Sequence, residues 1–515
     1  MKQSRRPIEI NIDELRRVLD KARQQAIDDT DYLKMKVALD VLAERLTRER
    51  TTEKTRAVVA QPQLAEGIPT AQEKPREKTK GHGRNSAADY VGAPKVVIRH
   101  ASLTCGDPCP ECARGKVYPQ RQPKTLVRVV GQPPLEATVF EMERLRCNAC
   151  GQVFTADEPD DLGPDKYDVS AVAMVAQLKY GTGVPFARLE RLEQQLGIPL
   201  PAATQWELAE HGATFLKPAF DYLIWQGAQG EVLHNDDTGM RILRLAREPS
   251  DKRTGIFTSG IVSLCRKRKI ALFFTGPKHA GENLADLLKR RAIDLNSPIQ
   301  MCDALSRNAP KAAKGVKILL ANCLAHGRRQ FVDVAANFPL ECRYVLETLG
   351  MVYGNEELAR EQGLDAEARL QFHQQYSTPL MEQLHEWLTE ELAEVRTEPN
   401  SGLGKAISYL LNHWQPLTLF LRETGAPLDN NICERALKKA ILNRKNAMFY
   451  KTANGAWVGD LFMSLIHTCE LNGVNSFHYL TELQRHSSNV ERAPADWMPW
   501  NYRDTLTRIQ SPAAA

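Results

Sequence analysis

The sequence predicts a multi-domain protein whose largest unit is an α/β domain, and three observations carry that reading. At 515 residues the chain exceeds what one hydrophobic core organises, and its 43% apolar content is enough for several. Five of its eleven cysteines crowd into residues 105–150 in paired spacing, which marks a small module of its own. From residue 231 the pattern changes from helical to strand-like, with three short runs first and then helix and strand in alternation.

Residues 1–50 are helix-forming after Asp13, with a break near Asp28, Asp29 and Asp31, whose acids suit a helix start. Met35, Leu39, Leu42 and Leu46 make a short apolar seam that suits a self-packed helical hairpin or a dimer zipper equally well. Residues 51–94 are rich in Thr, Glu, Lys, Gln, Pro and Gly without apolar periodicity, so burial cannot offset their ordering entropy and a flexible linker is expected. Residues 1–100 carry 21 Lys/Arg against 15 Asp/Glu in a chain of net charge +5, which makes this the basic end. No apolar run is long enough for a membrane span, and Met1 leads into polar sequence rather than a signal core, so a cytoplasmic protein with no membrane partner is expected.

In residues 95–160, Cys109-x-x-Cys112 and Cys147-x-x-Cys150 enclose short β-like runs at 125–130 and 136–145. Four thiolates complete a closed tetrahedral Zn2+ site, which would supply the stability that so small a core lacks. Cys105 is a substitute ligand, and a redox dithiol is the rival reading of such pairs. A closed four-cysteine site has no open position, so this zinc would be structural. Residues 161–228 read as helices. Within them 186–196, Gly197 and 202–211 form two helices around a tight turn, the pattern of a DNA-reading helix-turn-helix or of ordinary helix packing.

The strand-like runs cover 231–243, 255–265 and 269–275, followed by a helix at 281–291, a strand at 298–302 ending at Asp303, and a strand at 316–321. A helix carrying His326, Arg328 and Arg329 comes next. Three antiparallel strands followed by alternating helix and strand is the element order of a ribonuclease-H-like α/β fold. Its first part is assigned to 229–342, a helical insertion to 343–420 (helix-patterned at 379–395 and 403–421), its last part to 421–458, and a C-terminal helical segment to 459–515.

Two acids fall at telling places: Asp236 within the first strand, and Asp303 at the C-terminal end of the fourth, which neighbours the first in that fold. A third, Glu434, sits one or two turns into a helix that Asp429 or the following asparagines can cap. Phosphodiester chemistry explains such a triad. Two Mg2+ or Mn2+ ions about 4 Å apart activate the attacking oxygen and stabilise the leaving one, and hard cations need anionic oxygens on rigid elements. Asp236 would bridge the ions, with Asp303 and Glu434 each holding one. Between Glu434 and Lys451 the chain carries Arg435, Lys438, Lys439, Arg444 and Lys445 with no further acid, a surface for DNA phosphates or a solvated cationic face. His326 and Arg329 share a helix face, where they contact phosphate or pack.

At these residues the sequence resembles the insertion sequence 66 family of bacterial transposases, the TnpC-type proteins, over nearly its whole length. His234-Asn-Asp236-Asp-Thr238 is similar to the family's first catalytic strand, Cys323-Leu-Ala-His326-Gly-Arg-Arg329 to its His-Arg helix, and Leu428-Asp-Asn-Asn-Ile-Cys-Glu434-Arg435 to its last acidic motif. Arg444-Lys445-Asn446, Leu471-Asn472-Gly473 and Met498-Pro499-Trp500-Asn501 follow as they do there. Asp237 stands where the family usually has Glu, Leu324 and Ala447 where it tends to have Trp, and no aromatic residue follows Asp303. Asp237 is the rival of Asp236 as first acid. Strand alternation points the two to opposite faces without choosing, and the family motif selects Asp236.

The resemblance implies a DDE-type transposase that binds double-stranded DNA at the terminal inverted repeats of its element, hydrolyses the 3′ ends and joins them to target DNA. It also implies a homo-oligomer at the bacterial nucleoid, with accessory proteins as further partners. The rival readings are a catalytically relict DNA-binding regulator and a ribonuclease-H-like nuclease without strand transfer.

Overall fold

The computed structural model describes residues 86–89, 94–112, 114–120, 125–129, 133–146, 148, 150, 152–157, 159, 165–245, 253–310, 317–394 and 396–510. The expected N-terminal helices, most of the linker at 51–94, and Cys147 lie outside these residues. The chain divides into two units, Pro62–Thr138 and the remainder.

In the smaller unit a single 3-10 turn at Ala87–Asp89 precedes a tight knuckle. The Gly106 N–H donates to the Val117 carbonyl at 2.9 Å and the Cys109 N–H to that of Gly115 at 2.8 Å, with Gly106 at φ +97°, a conformation that favours glycine. The β-like run expected at 125–130 is no strand over its described part, 125–129, where Leu126 is 93% exposed. A β-prone run makes a strand only when a partner is available, and among the described residues none pairs with it.

The first element in the described part of the larger unit is a hairpin of β1 (Arg144–Arg146) and β2 (Val153–Thr155), Arg144 opposite Thr155. The strand expected at 136–145 is thus shorter and later. Helix α1 (Val169–Ala176) is capped by the Asp168 carboxylate and runs on through a π-turn at Gln177–Gly181. Helix α2 (Phe186–Gln195) ends at Gly197, φ +82°. Helix α3 (Ala202–Ala228) does not stop near 211 but is 27 residues long in all. Its Ala209, Ala213, Leu216, Phe220 and Leu223 are buried in the core, while Ala203, Glu207 and His211 in its first part stay exposed. Small residues let it approach closely: a Cβ on Gly227 would sit 2.8 Å from Leu272 Cδ1.

Next come β3 (Val232–Gly239), β4 (Ile242–Arg244), β5 (Phe257–Cys265), β6 (Arg268–Gly276), α4 (Ala280–Leu288), β7 (Ile299–Cys302) and β8 (Leu319–Asn322). Five of these strands form one mixed sheet in the order β6-β5-β3-β7-β8, antiparallel from β6 to β3 and parallel from β3 to β8. Although β6 is an edge strand, its middle reads as continuous apolar sequence, Ile270, Ala271, Leu272 and Phe273, all fully buried.

Helix α5 (Leu324–Val334) leads into an all-helical stretch: α6 (Pro339–Glu361), α7 (Ala366–Tyr376), α8 (Thr378–Ala393), α9 (Gly402–Asn412) and α10 (Trp414–Leu417). These form their own core of Leu346, Leu349, Leu384, Leu388 and Ile407 against Met301 and Phe331. The first helix of that stretch starts at Pro339, a residue that suits the first turn of a helix. The run expected at 403–421 breaks after Asn412.

Helix α11 (Asn431–Ala447) carries Glu434 and is followed by β9 (Tyr450–Thr452), which pairs with β4, and by α12 (Ala453–Leu471). Helix α12 crosses the expected boundary at 458, and fourteen of its nineteen residues are buried. Its Asp460, Ser464, Thr468 and Asn472 recur every fourth position. They accept the outward N–H groups of Thr275, Phe273, Ala271 and Lys269, at 2.6, 2.9, 3.0 and 3.3 Å, along the edge strand β6. Helices α13 (Ser476–Arg485), α14 (Ser487–Arg492) and α15 (Tyr502–Gln510) complete the chain. Tyr479, Trp497 and Tyr502 from this part join Ala173, Leu216 and Phe462 in one core, so 459–510 is no appendage. No described helix is long and apolar enough to cross a membrane.

Phe462 is fully buried and stacks on Tyr180 with centroids 5.3 Å apart. Phe462→Ala is expected to cost roughly 3–5 kcal/mol, read as a lower denaturant midpoint with an unchanged slope; a loss under half a kcal/mol would refute the core assignment.

Candidate active site

The site is assembled at the C-terminal end of β3. Its neighbours Asp236 and Asp237 send their side chains in opposite directions, as a pleated strand requires. Asp237, with a side chain only 2% exposed, accepts from His279 Nδ1 at 2.8 Å and from the Ala280 N–H at 3.3 Å, and Arg307 Nε stands 3.8 Å away. It is therefore committed to the N-terminus of α4, where a negative charge is favoured.

Asp236 turns instead toward Asp303, which follows β7. The Asn308 amide donates to both carboxylates, at 3.3 Å to Asp236 Oδ1 and in a short contact to Asp303 Oδ1. Asn308 is itself buried, and its carbonyl accepts from Asn235 Nδ2 at 2.9 Å and from Gln300 Nε2 at 2.7 Å. The turn bearing it lies flat on Gly281, where a Cβ would come 2.4 Å from the Ala309 carbonyl oxygen. Burial pushes the Asp236 carboxyl up to about 6, and the charges of Asp303 and Asp237 push it the same way. Two carboxylates drawn together by a neutral donor, with one of them held reluctant to ionise, fit a divalent cation as the missing counter-charge.

Glu434 arrives from α11. Asp429 accepts the Asn431 N–H at 3.0 Å, as a helix-capping acid does. Asn430 turns inward: it meets His234 Nδ1 at 3.0 Å through Oδ1 and donates to the Asn235 carbonyl at 3.1 Å through Nδ2. Burial holds His234 down to about 4, so this contact is made by a neutral ring. Cys433 donates to the Gly260 carbonyl on β5 at 3.3 Å. Around Glu434, His326 Nδ1 lies 3.7 Å from Oε1, and Cys323 joins them as a group whose ligand atoms are mutually within 4.8 Å. Asp236 and Asp303 are outside that group.

Of the expected DNA contacts, Arg329, Arg435, Lys438 and Lys445 are exposed and His326 is half-buried. Two of the cations are engaged internally. Lys439 pairs with Glu470 at 2.8 Å and donates to the Gly181 carbonyl, while Arg444 binds Thr238 Oγ1 at 3.1 Å and the Gly239 carbonyl at the end of β3. Sequence reasoning missed Asn308, Gln300 and Cys323 as parts of the site. Asn308 carries no signal of its own, whereas Cys323 begins a motif that was legible. Cys109 and Cys112 share a knuckle in which the Cys112 thiol is held below its ordinary value by the Arg114 and Gly115 N–H groups and by Cys109, and Cys150 is exposed in the β1–β2 turn.

The raised Asp236 carboxyl makes stability depend on pH. A group whose folded value exceeds its unfolded one contributes stability that is complete below roughly pH 4 and is lost as pH rises through about 6. Asp236→Asn should therefore stabilise the metal-free chain by about 2 kcal/mol at pH 8 and not at pH 4, and Mg2+ should narrow the gap. A pH-independent difference in thermal unfolding would count against the shift.

The family model described as "Transposase IS66 family" matches residues 166–457, which include all three acids. Among curated proteins of Sinorhizobium fredii (strain NBRC 101917 / NGR234), the uncharacterized protein y4jD is 28% identical over 449 residues, 82% of this chain and 84% of its own length. The uncharacterized protein y4hP is 28% identical over 382 residues, 70% of this chain and 67% of its own. With more than half of its length matched, including the sheet and the helix that bear these carboxylates, the chain belongs to the IS66 family of transposases.

Proposed function

We propose that this protein is a DDE-type DNA transposase that cuts the terminal inverted repeats of its element and joins the freed 3′ ends to target DNA. The observation that carries this is the meeting of Asp236 and Asp303 through Asn308, with Glu434 brought to the same end of the sheet on α11. The strand order, and the helical insertion between the second and third acids, support reading the sheet as ribonuclease-H-like.

Asp236 and Asp303 would hold one divalent cation and Asp236 with Glu434 a second. Bound there, Mg2+ or Mn2+ would supply an activated oxygen nucleophile and a stabilised leaving oxygen. Asn308 keeps the carboxylates oriented. The exposed Arg435, Lys438 and Lys445 bind DNA phosphates, with Arg329 and His326 beside them. In the first step a water oxygen attacks phosphorus and the 3′ oxygen leaves as a hydroxyl. In the second, that hydroxyl attacks a target phosphorus and a target 3′ oxygen leaves. Both are in-line displacements, so one site serves both. A complex that handles two ends together requires a homo-oligomer.

A strand-transfer assay with an oligonucleotide end bearing a free 3′ hydroxyl tests this. Joining in Mg2+ or Mn2+ is expected, falling to background in Asp236→Ala and Glu434→Ala; full activity in either variant removes the mechanism. Nicking without joining would identify a nuclease, and end-binding without nicking a regulator.

The paired cysteines are proposed to hold a structural Zn2+ through Cys109, Cys112, Cys147 and Cys150. The lowered Cys112 thiol supports this, since the thiolate is the ligand. Cys109→Ser/Cys112→Ser should lower bound zinc by one ion per chain, measured by elemental analysis; unchanged zinc would exclude the pair as ligands.

A further inference from the structure

The side chains nearest Glu434 do not form the oxygen-only set that a hard cation prefers. Cys323 begins α5, His326 follows within its first turn, and Glu434 stands in the first turn of α11; one ligand atom from each lies within 4.8 Å of the other two. Among the described residues this is the one such group. His326 Nδ1 is buried without a hydrogen-bond partner and faces Glu434 Oε1 at 3.7 Å, so the ring nitrogen carries a lone pair or proton that nothing in the fold uses. Cys323 is fully buried, and its sulfur accepts the Asn430 N–H at 3.3 Å, the kind of backbone support that orients metal-bound thiolates.

We propose that Cys323, His326 and Glu434 form a binding site for a borderline-soft divalent cation of the Zn2+ or Co2+ type. Sulfur, imidazole nitrogen and one carboxylate oxygen are a donor set that selects such ions over Mg2+, and three protein ligands leave a position open for an oxygen of water or substrate. This rests on the reading above in one respect: Glu434 is the carboxylate assigned there to the second cation, so that position becomes chemically unlike the one at Asp236 and Asp303. On binding, the Cys323 S–H bond is replaced by a sulfur–metal bond and the proton passes to solvent, with no change of oxidation state. Burial holds the free thiol up to about 11, so the empty site keeps its proton.

The test titrates Co2+ into the metal-free full-length chain carrying Cys109→Ser/Cys112→Ser, so that this cysteine pair does not mask the signal. A thiolate-to-cobalt absorption band is expected that loses one Co2+ per chain when Cys323→Ser is added. His326→Gln and Glu434→Gln should each weaken that binding at least tenfold, since loss of even a supporting residue costs about 10–100-fold. Zn2+ should displace the Co2+ and a large excess of Mg2+ should not. An unchanged band and stoichiometry in Cys323→Ser would overturn the proposal, as would displacement by Mg2+ as readily as by Zn2+. Should Cys323→Ser fail to fold, the two half-buried variants decide alone. Strand transfer is scored separately. Cobalt bound with Asp236→Ala fully active leaves this site standing without the catalytic reading; no cobalt bound with Asp236→Ala inactive does the reverse.

Discussion

The arrangement of the site depends on one side chain, Asn430. It reaches His234 and the Asn235 carbonyl on β3, while its own N–H meets the Cys323 sulfur. Two residues before it, the Leu428 carbonyl accepts the Leu324 N–H at 3.0 Å. Thus the start of α11, the start of α5 and the middle of β3 are fastened at one buried point, where unmade hydrogen bonds would be costly. Without that fastening, Glu434, separated from Asp303 by a whole run of helices, would have no reason to stand at this end of the sheet. The same constraint explains why Asn430 gives up the local capping role its position suggests and leaves it to Asp429.

A second constraint acts on the opposite edge of the sheet. Strand β6 is terminal, and an uncovered row of N–H groups invites pairing with another chain. The polar row from Asp460 to Asn472 on α12 satisfies those donors from the side, an arrangement available only because a period of four on a helix matches a period of two along a strand over this length. Burial raises Asp460 to about 7 even so, which shows how dry the joint is. The consequence is architectural: the helices before the sheet and those after it share one core with β5 and β6, and the sheet that bears the carboxylates is braced along its free edge.

Charge is distributed around the acids with comparable economy. Asp237 lies at the positive end of α4, and Glu434 lies in the first turn of α11. Asp236, half-buried beside Asp303, is the carboxylate left with the least compensation. The helices α6 and α9 border the same place, since the Asp303 charge reaches Tyr409 on α9 and the Glu434 charge reaches Tyr353 on α6.

The sequence by itself determined the element order of the α/β unit, the position of each candidate acid within it, and the helical character of the insertion. These follow from local periodicity and from residues at element ends, which are properties of short windows. It also kept Asp237 as a rival of Asp236 that strand alternation alone could not set aside, put a boundary inside α12, drew strands at 125–130 and 136–145, and read 202–211 as a whole helix. Tertiary structure decided each of these. Asp237 was taken by a helix that begins more than forty residues later. The boundary dissolved because the partners of α12 are backbone groups almost two hundred residues away, and the run at 136–145 narrowed to Arg144–Arg146, where β2 pairs with it. Long-range pairing leaves no mark in a local window, so the gathering of Asn308, Cys323 and Asn430 around the acids could be read only once the chain had closed on itself.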